Sequence, residues 1–118
     1  MTLFSRLLHR DPPAGPAWIE PEQLQARLAA DTAPLVVDVR GPDEFAGPLG
    51  HISGAVNLPL PALAGHVAEL LRQDKPLVMV CKTDRRSAAA AAQLQAAGAA
   101  DVAVLRGGME RWRQLGLA

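Results

Sequence analysis

The sequence predicts a single α/β domain: an open parallel β-sheet with helices on both faces. Two observations predict it. Short apolar runs rich in β-branched residues recur along the chain, and parallel strands buried on both faces read this way. Between them lie stretches with apolar residues three and four apart, punctuated by glycine and proline, which is the pattern of βα units. At 118 residues and 12.5 kDa the chain has material for one core.

In chain order, Asp11-Pro12-Pro13-Ala14-Gly15-Pro16 is a cluster of breakers. Residues 1–16 are therefore expected as tail and linker, and residues 17–118 as the folded domain. Trp18-Ile19 opens a short strand. Pro21 starts a helix over 22–30 with Leu24 and Leu28 on one face. Leu35-Val36-Val37-Asp38-Val39 reads as a buried parallel strand. Pro42 to Phe45 is a helical turn, 47–54 a loop rich in glycine and proline, and 55–58 a short strand stopped by Pro59. A helix is expected over 61–72, where Leu63, Val67, Leu70 and Leu71 form one stripe. Leu77 to Val80 is a second buried strand, followed by a helix over 87–97 that ends at Gly98. Val102 to Leu105 is the last strand, and Gly107-Gly108 turns the chain into a final helix over 109–115. Trp18 and Trp112 are read as core aromatics.

Composition removes several function classes. Twelve basic and twelve acidic residues give zero formal net charge, so there is no electrostatic footprint for nucleic acid. Tyrosine is absent and aromatics are few, so base-stacking platforms are lacking. No apolar run approaches the ~20 residues of a membrane span. Leu3, Phe4, Leu7 and Leu8 lie among Arg6, His9 and Arg10, too short an apolar stretch for a signal peptide, with no A-x-A-like site following. His9, His51 and His66 are scattered without ligand spacing, so neither metal nor cofactor is expected. One cysteine forms no internal disulfide; a reducing, cytoplasmic location is expected.

That cysteine carries the functional signal. Leu77-Val78-Met79-Val80 runs into Cys81, then a polar loop, Lys82-Thr83-Asp84-Arg85-Arg86-Ser87, then five alanines. This order puts a thiol between the carboxyl end of a strand and the amino end of a helix. A helix amino terminus has unpaired N–H groups and about half a positive charge, which favours an anionic sulfur. The thiolate is the reactive form. Five residues between Cys81 and the helix are expected to wrap their N–H groups around the sulfur. Lys82, Arg85 and Arg86 add three positive charges and Asp84 removes one. Asp84 has two readings: it caps the helix, or it pairs with Arg85 or Arg86. Read alone, Cys81 is equally a small buried residue ending a strand; the cationic loop after it favours an exposed, reactive thiol. Asp38 and Arg40 lie at a strand's carboxyl end, where sites in parallel sheets gather. They are read chiefly as structural, an ion pair or loop hydrogen bonds holding the strand-end turn, with Arg40 and Glu44 as one candidate pair and Arg40 as a candidate pocket wall. His51 is read as fixing the glycine loop.

Four segments in this order resemble the rhodanese family. Asp38-Val39-Arg40 with Glu44-Phe45 is similar to D-x-R-x3-E-[FY]; residues 50–59, GHISGAVNLP, to G-H-I-x-G-A-x-N-x-P; Cys81 to Ser87 to C-x-x-G-x-R-S; and Leu105 to Trp112 to L-x-G-G-x-x-x-W. Asp84 stands where the family pattern has glycine. The resemblance implies a single-domain sulfurtransferase. In such an enzyme a Cys81 persulfide carries sulfane sulfur from a donor such as thiosulfate to cyanide or a thiol. It also implies a substrate site from Lys82, Thr83, Asp84, Arg85, Arg86 and Ser87, with Arg40 beside it. The partners implied are a small-molecule donor and acceptor, with a protein donor or acceptor left open, and neither nucleic acid nor membrane. A non-enzymatic persulfide carrier or regulatory binding module is the alternative. A cysteine phosphatase or arsenate reductase needs arginine six residues after the cysteine; here Arg86 falls at the fifth and Ser87 at the sixth. Arg86 matches the family arginine, so Arg86→Ala is expected to raise the KM for a sulfur donor more than Arg85→Ala. Steady-state kinetics of the two variants check the ranking.

Overall fold

The computed structural model describes residues 15–118. The tail expected over residues 1–16 falls almost wholly outside them. Five parallel strands form one sheet: β1 Ala17–Ile19, β2 Leu35–Asp38, β3 Val56–Asn57, β4 Leu77–Val80 and β5 Val102–Leu105. Their spatial order is β1-β5-β4-β2-β3. The helices are α1 Pro21–Leu28, α2 Pro42–Phe45, α3 Val67–Arg72, α4 Arg85–Ala96 and α5 Gly108–Gln114.

The period-two rule of a strand divides the core into two layers. Val37, Met79 and Val104 point one way and pack with Leu70 of α3 and Ala90, Ala91 and Leu94 of α4. Val36, Val78, Val80, Ala103 and Leu105 point the other way, onto Leu24 of α1 and Met109 and Trp112 of α5. Helices therefore cover both faces, as the apolar runs predict. Alanines on α4 let that helix lie close to the sheet.

Three expectations change. Residues 60–72 are not one helix: Leu60–His66 is 3-10 and only Val67–Arg72 is α-helical. Pro61 and Gly65 lie in the first part, where they weaken α-helical propensity, and Leu63 still reaches the core. Helix α4 begins at Arg85 rather than Ser87, so three residues rather than five separate it from Cys81. Trp18 is not a core residue. It lies on edge strand β1, 41 % exposed, with the Arg106 guanidinium carbon 4.8 Å from its ring centroid.

From β2 the chain moves outward to β3, and from β4 outward in the opposite direction to β5. The crevice at the carboxyl ends of β2 and β4 is thus the place where a parallel sheet opens. A buried ion pair builds its floor. The Arg40 guanidinium donates to both Asp38 carboxylate oxygens at 2.7–3.2 Å and to the Gly50 carbonyl at 2.6 Å. Both side chains are 1 % exposed. Asn57 Nδ2 donates to the carbonyls of Asp38 and Arg40 and joins edge strand β3 to the same turn. Arg40 pairs with Asp38, not with Glu44 as the sequence suggests, because only Asp38 is buried beside it. Asp38→Ala leaves that guanidinium buried without its counter-charge, and is expected to cost about 3–5 kcal/mol in urea unfolding.

Candidate active site

Cys81 follows the last residue of β4, and α4 starts four residues later. The polar segment between them bends so that its two ends meet. The Ser87 N–H donates to Cys81 Sγ at 3.3 Å, and Ser87 Oγ lies 3.2 Å from the same sulfur. Ser87 is the third residue of α4, the position whose N–H is ordinarily capped by a side chain at the helix entrance. Asp84 occupies that entrance but makes no side-chain cap bond. The sulfur takes the role expected of the Asp84 carboxylate. Asp84 is exposed, and its carbonyl accepts the Ala88 N–H, the first bond of the helix.

A second helix holds the loop from the other side. The N–H of Met109 donates to the Cys81 carbonyl at 2.9 Å, and that of Glu110 to the Lys82 carbonyl at 3.0 Å. Gly107 and Gly108, at φ +79° and +57°, make this docking sterically feasible. A Cβ on Gly108 would collide with the carbonyl oxygens of Cys81 and Thr83. The peptide is planar and trans, so a carbonyl bound to α5 turns the next N–H the opposite way. The N–H groups of Lys82 and Thr83 therefore face away from α5. Among the described residues, no hydrogen-bond acceptor serves the N–H groups of residues 82–86.

Cys81 itself is 1 % exposed and belongs to the apolar layer beneath α4. This corrects the expectation of an exposed thiol and of several amides already gathered on it. The sulfur is drawn inward because it caps α4, and among the described residues only the Ser87 amide reaches it. Lys82, Thr83, Asp84 and Arg85 are exposed, Arg86 is half-buried and Ser87 is buried.

Two of the three loop cations, Arg86 and Lys82, face carboxylates. Arg86 forms a two-pronged pair with Glu44 of α2, at 2.6 and 2.9 Å. Lys82 Nζ lies 3.8 Å from Glu110 of α5. Arg40, Glu44, Lys82 and Glu110, with Pro48 and Leu49, line a cavity of about 410 Å³. Hydrogen bonding to Arg86 holds the Glu44 carboxyl at about 2, with the Arg86 charge contributing less. The same bonds push Arg86 above its ordinary value, helped by the charges of Glu44, Cys81 and Asp38. His51 anchors the preceding loop: Nδ1 is 2.9 Å from the Phe45 carbonyl, and the two rings stack at 3.7 Å. Sequence reasoning missed Glu110 and the contact of Gly108 with the loop. The L-x-G-G segment marks the turn, but nothing in it shows what the turn packs against.

The pattern of the rhodanese-like domain matches residues 20–115. This chain belongs to the rhodanese-like domain family. Thiosulfate sulfurtransferase GlpE of Pseudomonas aeruginosa (strain LESB58) is 40 % identical over 97 residues, covering 82 % of this chain and 84 % of that protein. The uncharacterized protein YqhL of Bacillus subtilis (strain 168) is 42 % identical over 77 residues, 65 % of this chain and 59 % of its own length. A solved rhodanese-related protein from Thermoplasma volcanium matches with a TM-score of 0.75 at 28 % identity, covering 86 % of this chain and 95 % of that one. Family and fold are those implied by the four motifs. Among the described residues, no helix of this rhodanese-like domain is long and apolar enough to cross a membrane, and no group of three or more His, Cys, Asp or Glu could hold a metal ion.

Glu44 links pH to stability with a definite sign. Its carboxyl is depressed in the folded state, so the pair stabilises the fold above about 4.5 and loses that contribution as pH falls toward about 2. Both side chains are over a third exposed, so solvent screens the gain to under about 1 kcal/mol. Glu44→Gln is expected to be that much less stable at pH 7. The gap to wild type should close across this acid window in urea titrations at stepped pH.

Proposed function

We propose that the protein is a sulfurtransferase working through a Cys81 persulfide. The observation that carries the reading is the sulfur's place as acceptor of the Ser87 N–H at the amino end of a twelve-residue helix. It lies in a chain 40 % identical to a protein named thiosulfate sulfurtransferase. The Cys81 thiolate attacks the outer sulfur of thiosulfate. A new S–S bond forms, the donor's S–S bond breaks, and sulfite leaves with its electron pair. Cyanide then attacks the outer sulfur of the persulfide, thiocyanate departs, and the thiolate returns. No external oxidant or reductant is needed.

The loop supplies what the intermediate requires. A second sulfur on Cys81 is an anion, and the N–H groups of residues 82–86, unpaired among the described residues, are donors for it. Lys82 and Arg40 line the cavity beside the loop, and Arg86 is held by Glu44 of the same lining. Thr83, Asp84 and Arg85 contribute backbone, their side chains being exposed. Because Cys81 is 1 % exposed, the loop yields to admit the donor. With no second cysteine, the acceptor comes from outside, as a small thiol, cyanide or a protein thiol. A reducing, cytoplasmic setting keeps the lone thiol free.

The same burial favours a second reading, a non-enzymatic persulfide carrier or binding module. A cysteine phosphatase is not favoured: Ser87 occupies the sixth position after the cysteine, and Arg86 at the fifth is turned to Glu44. Mass spectrometry after thiosulfate treatment is expected to show one added sulfur atom on Cys81, removed by cyanide. Cys81→Ser is expected to abolish thiocyanate formation and to keep the fold by circular dichroism. Unchanged mass with every donor, or a Cys81→Ser variant that still turns over, refutes the enzymatic reading.

A further inference from the structure

We propose that Glu44 and Glu110 set the charge of the sulfur donor by neutralising Arg86 and Lys82, so that the site disfavours a doubly charged donor and prefers one of lower charge. This rests on the sulfurtransferase reading above and adds to it two specificity-determining residues.

The loop after Cys81 carries Lys82, Arg85 and Arg86 against Asp84, a formal charge of plus two. That charge would draw in a dianion such as thiosulfate. Both units are cancelled from outside the loop. Glu44 reaches from α2 and holds Arg86 through both of its carboxylate oxygens. Glu110 reaches from α5, where its own N–H already docks the Lys82 carbonyl, and its carboxylate lies 3.8 Å from Lys82 Nζ. Arg40 is matched within the floor by Asp38, and Arg85, exposed on the loop, is balanced only formally by Asp84. Glu44 and Glu110 both line the cavity of about 410 Å³ with Lys82 and Arg40, and Pro48 and Leu49 give it an apolar side.

This cavity has the charge balance for a donor of the form R–S–SH, an alkyl persulfide bearing at most one negative charge. The transfer balances as before: the Cys81 thiolate attacks the outer sulfur, the donor's S–S bond breaks, and R–S⁻ leaves with the electron pair. The organic group meets Pro48 and Leu49. Thiosulfate instead brings two negative charges to a mouth with two carboxylates, and has to displace Glu44 to reach Arg86.

The test measures kcat/KM for thiosulfate and for a small alkyl persulfide with cyanide as acceptor. It uses wild type, Glu44→Gln, Glu110→Gln and Glu44→Asp over a range of ionic strength. The ratio of thiosulfate to persulfide efficiency is expected to rise about tenfold in each Gln variant at low salt. The gain should fall mainly in KM, shrink with added salt and be absent in Glu44→Asp. Glu110 is half-buried and makes the weaker contact, at 3.8 Å, so Glu110→Gln keeps the test valid if Glu44→Gln unfolds. An unchanged ratio, or equal losses for both donors with no salt dependence, overturns the proposal and leaves sulfur transfer standing. A wild type that gains no sulfur from either donor overturns both.

Discussion

The contact between Cys81 Sγ and the Ser87 N–H organises the functional end of this molecule. It is one weak hydrogen bond by geometry, but it ties two facts together. The positive end of α4 has an acceptor, and that acceptor is the only sulfhydryl in the chain. A helix start lacking a side-chain cap is costly to leave bare. Here the residue that follows the strand, Cys81, supplies the cap. The reactive atom and the structural atom are therefore the same, which explains why the sulfur is buried and why Asp84 stays outside.

The loop is shaped by what surrounds it more than by its own composition. Helix α5 takes the carbonyls of Cys81 and Lys82, and the close approach works only because residue 108 has no Cβ. Held by these bonds, the first peptides of the loop present their amides on the side away from α5, without acceptors among the described residues. The Asp38–Arg40 pair does comparable work at the end of β2, binding the strand turn to the Gly50 loop. Two neighbouring strand ends are thus made rigid by different means, a buried ion pair on one and a docked helix on the other. The crevice lies between them.

Charge is arranged with similar economy. Each basic side chain at the crevice for which the structure shows a partner is matched by an acid from another segment or strand turn: Arg86 by Glu44, Lys82 by Glu110 and Arg40 by Asp38. Only the last pair is fully desolvated; the other two keep contact with solvent, where an ion pair contributes little to stability. Such a mouth holds its cations without a strong standing field, and an anion approaching them meets their paired carboxylates first.

Local chemistry alone placed the strands, the parallel sheet and the position of Cys81 between strand and helix. β-branched apolar runs and proline or glycine breaks act within a few residues, so one sequence shows them. The helix over 61–72 misled because its apolar stripe is real while Pro61 and Gly65 tighten its first turns to 3-10. Trp18 misled because residue type does not reveal that its strand lies at the edge of the sheet. What only the tertiary structure decided are contacts across long chain separations. Glu44 meets Arg86 forty-two positions away, and α5 meets the loop through Gly108 and Glu110. A carboxylate carries no local mark of the cation it will find. Whether the sulfur faces water or caps a helix depends on how strand, loop and two helices close together, and that closure is a property of the packed fold.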